Sequence, residues 1–454
     1  MKITFCGAAQ EVTGTCILIE TNSEKFLIDC GLFQGTEFAT DDNAKPFIFN
    51  PSEINFVLLS HAHADHCARL PKLVNEGFAG KIYATNPTID LAQIIMEDAA
   101  GVMAIEAGNK HQEPIYQIED IEKVMPLFSS VKYQEKIQIT ENISARFVDA
   151  GHILGSAQIE VFIKEDGVEK KIAFTGDLGN APVPLVCDPD SITGADIAIT
   201  ESTYGGRVHE PAELRTQLLS EVILDSVAKG GTLIIPAFSL ERTQELLYEL
   251  KHLLEEKKIP NVPMFVDSPL SIKAIAIYKK YIPYFDDQAQ KIAQSGQDLF
   301  MFPGLKYTNS VDESKGINSV EPPKIIIAGA GMCNGGRVLY HLKLNLPNKN
   351  SKVLIISYQA KNTLGRELLD GAKKIKIQKE TVAVRATIKA IGAYSSHADH
   401  PRLVSWVSKL VDPKPEHVFI VHGEEKNNLM LKGGIRQKTG IEAVIAQRDQ
   451  VYEV

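Results

Sequence analysis

The sequence predicts an α/β protein with two domains. Its 454 residues exceed what one hydrophobic core usually organises. Short apolar segments rich in β-branched residues recur along the chain, and after Tyr204 they alternate with helical segments, as parallel α/β units do. Histidine and acidic side chains follow several of these strands directly, and function commonly collects at such strand ends.

The first part of the chain consists mainly of short strands, and the second part alternates strands with helices. The first strands are predicted at 2–6, 15–21, 25–31, 54–61, 143–152, 159–164, 171–177 and 196–203, with a helix at 87–107. Helices are predicted at 211–228, 240–257 and 336–345, and strands at 232–238, 263–269, 324–331, 352–359, 387–396 and 417–425. The polar region 283–322 is expected to form a long loop with little regular structure.

Composition indicates an ordinary soluble globular protein. The six cysteines form no CxxC pair, no apolar run approaches the length of a membrane helix, and the N-terminus does not resemble a signal peptide. We therefore expect a cytoplasmic protein with no membrane partner. The net charge of −9 alone counts against a nucleic-acid partner, but carboxylates that bind metal ions are counted in it, so the charge decides little.

The segment SHAHADH, residues 60–66, carries the strongest chemical signal. Three histidines and one aspartate follow a buried strand, where a loop can turn them toward one point. Imidazole and carboxylate groups are ligands for zinc and similar divalent ions. Four ligand-type residues so close together make separate surface roles improbable, and we interpret the segment as a metal site.

Other predicted strands end in further ligand-type residues. FVDAGH ends at His152, FTGD at Asp177, ITE at Glu201 and FIVH at His422. These positions predict a two-metal site with two ligand sets and a bridging carboxylate. The first set is His61, His63 and His152, the second is Asp65, His66 and His422, and the bridge is Asp177.

This ordered set of motifs resembles the β-CASP nucleases of the metallo-β-lactamase fold. ESTYG (201–205), SSHAD (395–399) and IVHGE (420–424) are similar to the three motifs that this family adds, and PAFSLERTQEL, DSPLS and GAGMCNGGR are similar to its inserted domain. The resemblance implies an αββα sandwich formed by 1–204 and 383–454, with a β-CASP α/β domain at 205–382 inserted as a parallel sheet flanked by helices. The chain is most similar to the compact, cleavage-and-polyadenylation-specificity-factor-like RNA endonucleases.

The resemblance also implies residue roles. It repeats the two ligand sets above and makes His397 the general acid, with Glu201 supporting a catalytic histidine. Asp29 would orient ligands, although a turn residue after a strand is the alternative for it. Asp65 is counted both as a ligand and as part of the catalytic group. Zinc is the expected metal, and manganese also suits such carboxylate-rich sites.

The second histidine motif, SHADH at 396–400, is not expected to be another metal site. Asp399 and His400 are interpreted as the start of a helix, with Pro401 in its first turn. A third metal at 397–400 is the alternative. His209 and His341 are interpreted as surface or structural residues.

The inserted domain is expected to hold single-stranded RNA. Candidate phosphate contacts stand at predicted helix starts and in a glycine-rich loop: Ser239, Arg242, Thr243, Ser268, Ser271, Gly335, Gly336 and Arg337. In the family, histidine at the position of His422 belongs to the RNA-processing branch. The expected function is therefore a metal-dependent endoribonuclease with a two-metal-activated water, with exonuclease activity as an additional prospect and a homodimer as a common state of the family.

Two other functions compete with this one. A small-ester hydrolase of the same fold would not need an inserted polynucleotide-binding domain. An inactive RNA-binding scaffold subunit would have lost metal ligands, whereas every expected ligand is present in this chain.

Overall fold

The structure is a computed structural model, which describes residues 1–34, 39–110, 113–360 and 362–454. Its strands are β1 (Lys2–Phe5), β2 (Ile17–Glu20), β3 (Lys25–Ile28), β4 (Phe56–Leu58), β5 (Lys81–Thr85), β6 (Phe128–Val131), β7 (Lys136–Gln138), β8 (Ile143–Asp149), β9 (Ala157–Glu165), β10 (Val168–Phe174), β11 (Ile197–Thr200), β12 (Thr232–Pro236), β13 (Met264–Asp267), β14 (Leu305–Tyr307), β15 (Lys324–Ala328), β16 (Lys352–Ile355), β17 (Lys374–Ile377), β18 (Glu380–Ala383), β19 (Thr387–Ala390), β20 (His417–Ile420), β21 (Val444–Ile445) and β22 (Val451–Glu453). Its α-helices are α1 (Ala39–Ala44), α2 (Ala64–Cys67), α3 (Leu70–Asn75), α4 (Asn86–Lys110), α5 (Ile118–Val124), α6 (Arg215–Ala228), α7 (Arg242–Glu255), α8 (Pro269–Lys280), α9 (Asp287–Gln294), α10 (Val311–Gly316), α11 (Val338–Asn345), α12 (Leu364–Leu369), α13 (His400–Lys409) and α14 (Glu425–Thr439).

The chain divides into two compact units. Unit 1 comprises Met1–Ala181, Asp188–Val208 and His397–Val454, and unit 2 comprises Pro182–Cys187 and His209–Ser396. The predicted division at 204/205 and 382/383 differs from these units. The main difference is β19, which pairs in parallel with β16 of the unit 2 sheet and so extends that unit beyond residue 383.

Unit 1 is a sandwich of two seven-stranded sheets. Their strand orders are β22-β1-β2-β3-β4-β5-β6 and β21-β20-β11-β10-β9-β8-β7. Apolar side chains of both sheets, such as Phe5, Phe26, Phe147 and Phe419, share one buried core. Helices α13 and α14 cover the outer face of the second sheet through residues such as Trp406. This αββα arrangement confirms the predicted fold of the first domain.

Unit 2 contains a parallel six-stranded sheet with helices between its strands. The strand order is β14-β13-β15-β12-β16-β19, and a two-stranded antiparallel sheet is formed by β17 and β18. Central strands such as β12 and β15 are buried along their whole length, which explains their continuous apolar sequences. The prediction of a parallel α/β unit is thus confirmed.

The region 283–322 contains more regular structure than the sequence predicted. Helix α9, strand β14 and helix α10 all lie in it. Asp286 caps α9 by accepting a hydrogen bond from the Ala289 N–H, and Ser310 and Glu313 form a capping box on α10. The prediction of a loop was therefore wrong, because short polar helices depend on caps and not on apolar periodicity. Within the described part of the chain, no helix is both long and apolar enough to cross a membrane.

Candidate metal centre

The candidate site lies in unit 1, beyond the ends of strands from both sheets. His61 follows β4, His152 follows β8, Asp177 follows β10 and His422 follows β20. Strands β10, β11 and β20 run in parallel, so their carboxyl ends share one edge of the sheet. His422 has a φ of 51°, in the left-handed region that non-glycine residues seldom adopt. Such an unusual backbone angle is typical of functional positions.

Three histidines and one aspartate oxygen form the first cluster. The distance from His63 Nδ1 is 3.1 Å to both His61 Nε2 and His152 Nε2. Asp177 Oδ2 lies 3.3 Å from His61 Nε2 and 3.4 Å from His152 Nε2. All four ligand atoms therefore face a common point.

The second cluster uses the other oxygen of the same aspartate. Asp177 Oδ1 lies 3.3 Å from His66 Nε2, which is 3.4 Å from His422 Nε2. His422 Nε2 is in turn 3.4 Å from Asp65 Oδ2. Asp177 thus presents one oxygen to each cluster, and the bridging of two metal ions stays a prediction. Asp177 Oδ1 is buried and accepts no hydrogen bond within the described structure.

These distances fit divalent metal ions. A tetrahedral metal bound at about 2.0–2.2 Å holds its ligand atoms about 3.3–3.6 Å apart, close to the distances in both clusters. Burial, followed by the neighbouring His61, lowers the pKa of His63 to about 3. Burial also lowers the pKa of His61 and of His152. These imidazoles are therefore neutral at physiological pH, as metal ligands must be.

Groups behind the clusters fix the orientation of the ligands. Asp29 Oδ2 accepts hydrogen bonds of 2.7 Å from His66 Nδ1 and from Ser60 Oγ. Ser60 Oγ also lies 3.0 Å from His61 Nδ1, and Thr203 Oγ1 lies 3.0 Å from His422 Nδ1. With the Nδ1 atoms held in this way, the Nε2 lone pairs point into the clusters. Asp29 thus has the contacts that were predicted for a ligand-orienting acid.

Ser60 and Thr203 were missed by the sequence analysis. Both stand inside motifs that it identified, SHAHADH and ESTYG. The available signal was that Ser60 precedes His61 and that Thr203 lies two residues after Glu201. Hydroxyl contacts between distant parts of the chain cannot be read from sequence spacing.

Gly31 allows the loop of the second cluster to approach the end of β3. A Cβ atom at this position would lie 1.7 Å from the carbonyl oxygen of Asp65. The neighbouring backbone is tied to the same loop, since the Cys30 N–H donates to the His66 carbonyl over 2.7 Å. A side chain at Gly31 would therefore displace Asp65 and His66.

His397 and Glu201 form a pair beside the clusters. His397 Nδ1 lies 3.2 Å from each carboxylate oxygen of Glu201 and 3.9 Å from Asp177 Oδ2. The Glu201 oxygens also accept from the backbone N–H groups of Leu178 and Thr203. Burial works to lower the pKa of His397, but Glu201 and then Asp177 outweigh it and raise the pKa to about 9.

The rest of the second histidine motif has structural contacts. Asp399 is the N-cap of α13 and accepts from the Arg402 N–H. His400 Nδ1 donates to the Gly205 carbonyl over 2.6 Å. Neither residue joins a possible metal cluster in the described part of the chain, so a third metal at 397–400 is not supported. Asp177, Glu201 and His397 do form a third group of potential ligand atoms, but backbone N–H groups already occupy Glu201.

Several predicted substrate contacts are buried inside unit 2. The hydroxyls of Ser239, Ser268, Ser271 and Thr243 contact one another over 2.9–3.3 Å, and Ser268 is the N-cap of α8. Burial of Thr243 and Ser271 argues against direct contact of either residue with RNA.

The two predicted arginine contacts are also used internally. Arg242 is 2% exposed and is paired with Glu245 and the Tyr394 carbonyl. Arg337 donates to Asp267 and to the carbonyls of Thr308 and Asn309. Both guanidinium groups are therefore engaged within unit 2, Arg242 by one near and one distant residue and Arg337 by distant residues only. Gly335 and Gly336, which directly precede Arg337 in the chain, lie at the surface.

Comparisons with known proteins agree with this architecture. Family models match a metallo-beta-lactamase superfamily domain at residues 18–171, a Beta-Casp domain at 243–368 and a Zn-dependent metallo-hydrolase RNA specificity domain at 381–446. A ribonuclease of Thermus thermophilus is 35% identical, over 95% of each chain. An RNase J-like protein of Methanocaldococcus jannaschii is 36% identical, over 94% of this chain and 93% of that protein.

Two further proteins are similar, one of them longer than this chain and the other much lower in sequence identity. The transcription termination factor FttA of Methanosarcina mazei is 31% identical, over 97% of this chain and 70% of that protein. A crystal structure of a protein of unknown function from Enterococcus faecalis superposes with a TM-score of 0.56 over 99% of each chain, at 14% identity. The latter similarity concerns the fold alone.

Proposed function

Because this chain belongs to the β-CASP family of metallo-β-lactamase-fold ribonucleases, we propose that it is a metal-dependent endoribonuclease acting on single-stranded RNA. The observation that carries the proposal is the position of Asp177, with one carboxylate oxygen facing each of two clusters. The names of the relatives support RNA as the substrate, and the complete ligand set supports catalysis over a scaffold role.

The fold implies divalent metal ions, and the residues present fit them. His61, His63 and His152 would hold one ion, Asp65, His66 and His422 the other, and Asp177 would bridge them. Such ions would supply an acidified water and stabilise charge on the phosphate oxygens. We propose zinc as the resident metal because imidazoles dominate both clusters, with manganese as the alternative.

His397 would provide the proton for the departing oxygen. Glu201 holds Nδ1 of this histidine, so Nε2 is the nitrogen that would carry the proton to the substrate. Glu201 is itself positioned by two backbone N–H groups, which fixes the orientation of the imidazole ring. Asp29 and Ser60 would act through the ligands that they orient.

The test uses four substrates, three of which share one nucleotide sequence. These are linear single-stranded RNA labelled at the 5′ end, the same RNA closed into a circle, the matching DNA, and the small diester bis(p-nitrophenyl) phosphate. The proposal expects cleavage of linear and circular RNA but not of DNA, with Asp177→Ala inactive. Asp312→Ala serves as the control, since it removes an exposed carboxylate of unit 2.

Each other outcome replaces the proposal by a defined alternative. Cleavage of linear RNA alone indicates an exonuclease, and cleavage of DNA moves the protein to a DNA-processing role. Turnover of the small diester alone indicates a small-ester hydrolase. Binding of RNA without any turnover, in protein loaded with zinc or manganese, indicates a scaffold subunit.

The homodimer and the cytoplasmic location stay predictions. Light scattering coupled to size-exclusion chromatography of the purified chain measures the first, and fractionation of the source cells measures the second.

A further inference from the structure

Unit 2 carries six exposed cations close together in sequence, which we call the basic patch: Lys373, Lys374, Lys376, Lys379, Arg385 and Lys389. The patch covers strands β17, β18 and β19 and the turns that join them. The whole chain has a net charge of −9, so this concentration of positive charge runs against the average.

The β17–β18 hairpin directs its lysines to one side. Ile375 and Ile377 are buried in the unit 2 core, so the alternating Lys374 and Lys376 face solvent. Their cross-strand partners are Ala383 and Thr381, which carry no charge. The hairpin thus presents Lys374 and Lys376 opposite uncharged side chains, and its one carboxylate is that of Glu380.

Two nearby acidic residues are paired with other cations. Asp370 contacts Arg366 over 3.0 Å, and Glu380 contacts Lys343 over 2.6 Å. Within the described residues, none of the six patch cations has an ion-pair partner. The positive charge of the patch is therefore not neutralised by the protein itself.

A cavity of about 310 Å³ adjoins the patch. Lys373, Arg385 and Lys389 line it, together with residues such as Gly371, just after α12, and Ile388 of strand β19. Strand β19 is the last strand of its sheet, so its outer edge offers backbone N–H and C=O groups. The volume lies at the lower end of the range for ligand pockets.

We infer that the basic patch binds the phosphate backbone of single-stranded RNA outside the catalytic centre. This inference rests on the proposed function, since it assumes that RNA is the substrate. Unpaired cations along a surface are the electrostatic footprint of polynucleotide binding, which releases counterions from the phosphates. No aromatic residue is among those that line the cavity in the described structure, so binding would depend on phosphate charge and not on base stacking.

The test compares two triple variants of the full chain. Lys374→Ala, Lys376→Ala and Lys379→Ala together remove patch charge. Lys291→Ala, Lys306→Ala and Lys315→Ala together remove the same charge from other exposed positions of unit 2. RNA affinity is measured in the Asp177→Ala background at several salt concentrations, and turnover of RNA and of bis(p-nitrophenyl) phosphate is measured with Asp177 present.

The patch variant is expected to bind RNA roughly tenfold more weakly. The slope of log affinity against log salt concentration is expected to become less negative by about 2, since each of three lost phosphate contacts contributes about 0.7. Its KM for RNA should rise, whereas its turnover of the small diester should stay at the wild-type level. The control variant should match the wild type in both measurements. A second triple variant, Lys373→Ala, Arg385→Ala and Lys389→Ala, tests the cavity in the same way.

The failure of this inference differs from the failure of the proposed function. Equal RNA affinity and salt dependence in the patch and control variants would overturn the patch. Patch-dependent RNA binding by a wild-type chain that cleaves no RNA would overturn the catalytic proposal and leave the patch intact. Polyglutamate and unlabelled RNA of the same total charge are also compared as competitors for labelled RNA. If polyglutamate displaces the labelled RNA as strongly as RNA does, an acidic protein is the partner of the patch and the inference is overturned.

Discussion

Both units bury charged side chains, but they treat them differently. In unit 1, the nitrogen atoms of His61, His63 and His152 face one another and an aspartate oxygen at 3.1–3.4 Å. In unit 2, the buried Asp267 accepts a hydrogen bond from each of four groups, Arg337, His341, Thr308 and Ser314, over 2.6–2.7 Å. In unit 2, both oxygens of the buried carboxylate are satisfied by protein donors, whereas in unit 1 the ligand atoms face one another.

A second network in unit 2 follows the same rule as Asp267. Arg215 contacts Glu249 over 2.7 Å and Glu245 over 3.0 Å. Tyr394 donates its hydroxyl to Glu249. Buried charge is stable when partners satisfy it, and it is otherwise costly unless a metal ion compensates it. Burial of polar side chains alone therefore does not identify a functional site. A group of buried acceptor atoms that face one another, as in unit 1, does indicate one.

The largest expected effect is the loss of metal and activity in Asp177→Ala. This change removes one carboxylate oxygen from each cluster. Bound metal measured by mass spectrometry should therefore fall from about two ions per chain to nearly none. Loss of several kcal/mol of transition-state stabilisation predicts at least a roughly thousandfold drop in RNA cleavage. Asp312→Ala, which changes an exposed aspartate of unit 2, is the control and should retain its metal. Full metal content in Asp177→Ala would contradict the bridging position.

The next effect separates the proton donor from the ligands. His397→Asn should lower kcat for RNA by about 10²–10⁴-fold, because the departing oxygen loses its acid. Metal content should stay unchanged, since His397 belongs to neither of the two main clusters. Partial rescue by added imidazole would support proton transfer. A variant that loses metal together with activity would show that His397 is a ligand.

Sequence motifs predicted the candidate ligands because these residues lie beyond strand ends, either just after a strand, as Asp177 and His422 do, or later in the motif that follows β4, as Asp65 does. Strand ends converge in layered folds. Asp65, Asp177 and His422 were found in this way. The roles of Arg242 and Arg337 were not predictable, because each has a partner that is distant in the chain, Tyr394 for Arg242 and Asp267 for Arg337. A helix start suggested a phosphate contact for Arg242, and a glycine-rich loop suggested one for Arg337, yet Arg242 contacts Glu245 and the Tyr394 carbonyl. Local patterns thus identified charged positions but not which charges the fold would neutralise.

A third prediction tests the completed charge group of unit 2. Asp267→Ala leaves Arg337 and His341 without their carboxylate, which should lower the free energy of unfolding by about 3–5 kcal/mol. Urea titration followed by far-UV circular dichroism measures this change, and a chelator should not alter its size. Unchanged stability would mean that solvent takes over the role of Asp267.

The smallest expected effect lies behind the metal ligands. Ser60→Ala removes the hydroxyl that links His61 Nδ1 to Asp29, at 3.0 Å and 2.7 Å. Loss of such an orienting group typically weakens metal binding by about 10–100-fold, which competition with a chromogenic chelator can measure. Ser226→Ala is the matched control, because it removes a buried hydroxyl from unit 2. If both variants bind metal equally, the backbone alone positions His61. If only Ser60→Ala loses affinity, the contrast between the two units extends beyond the ligands to the groups that aim them.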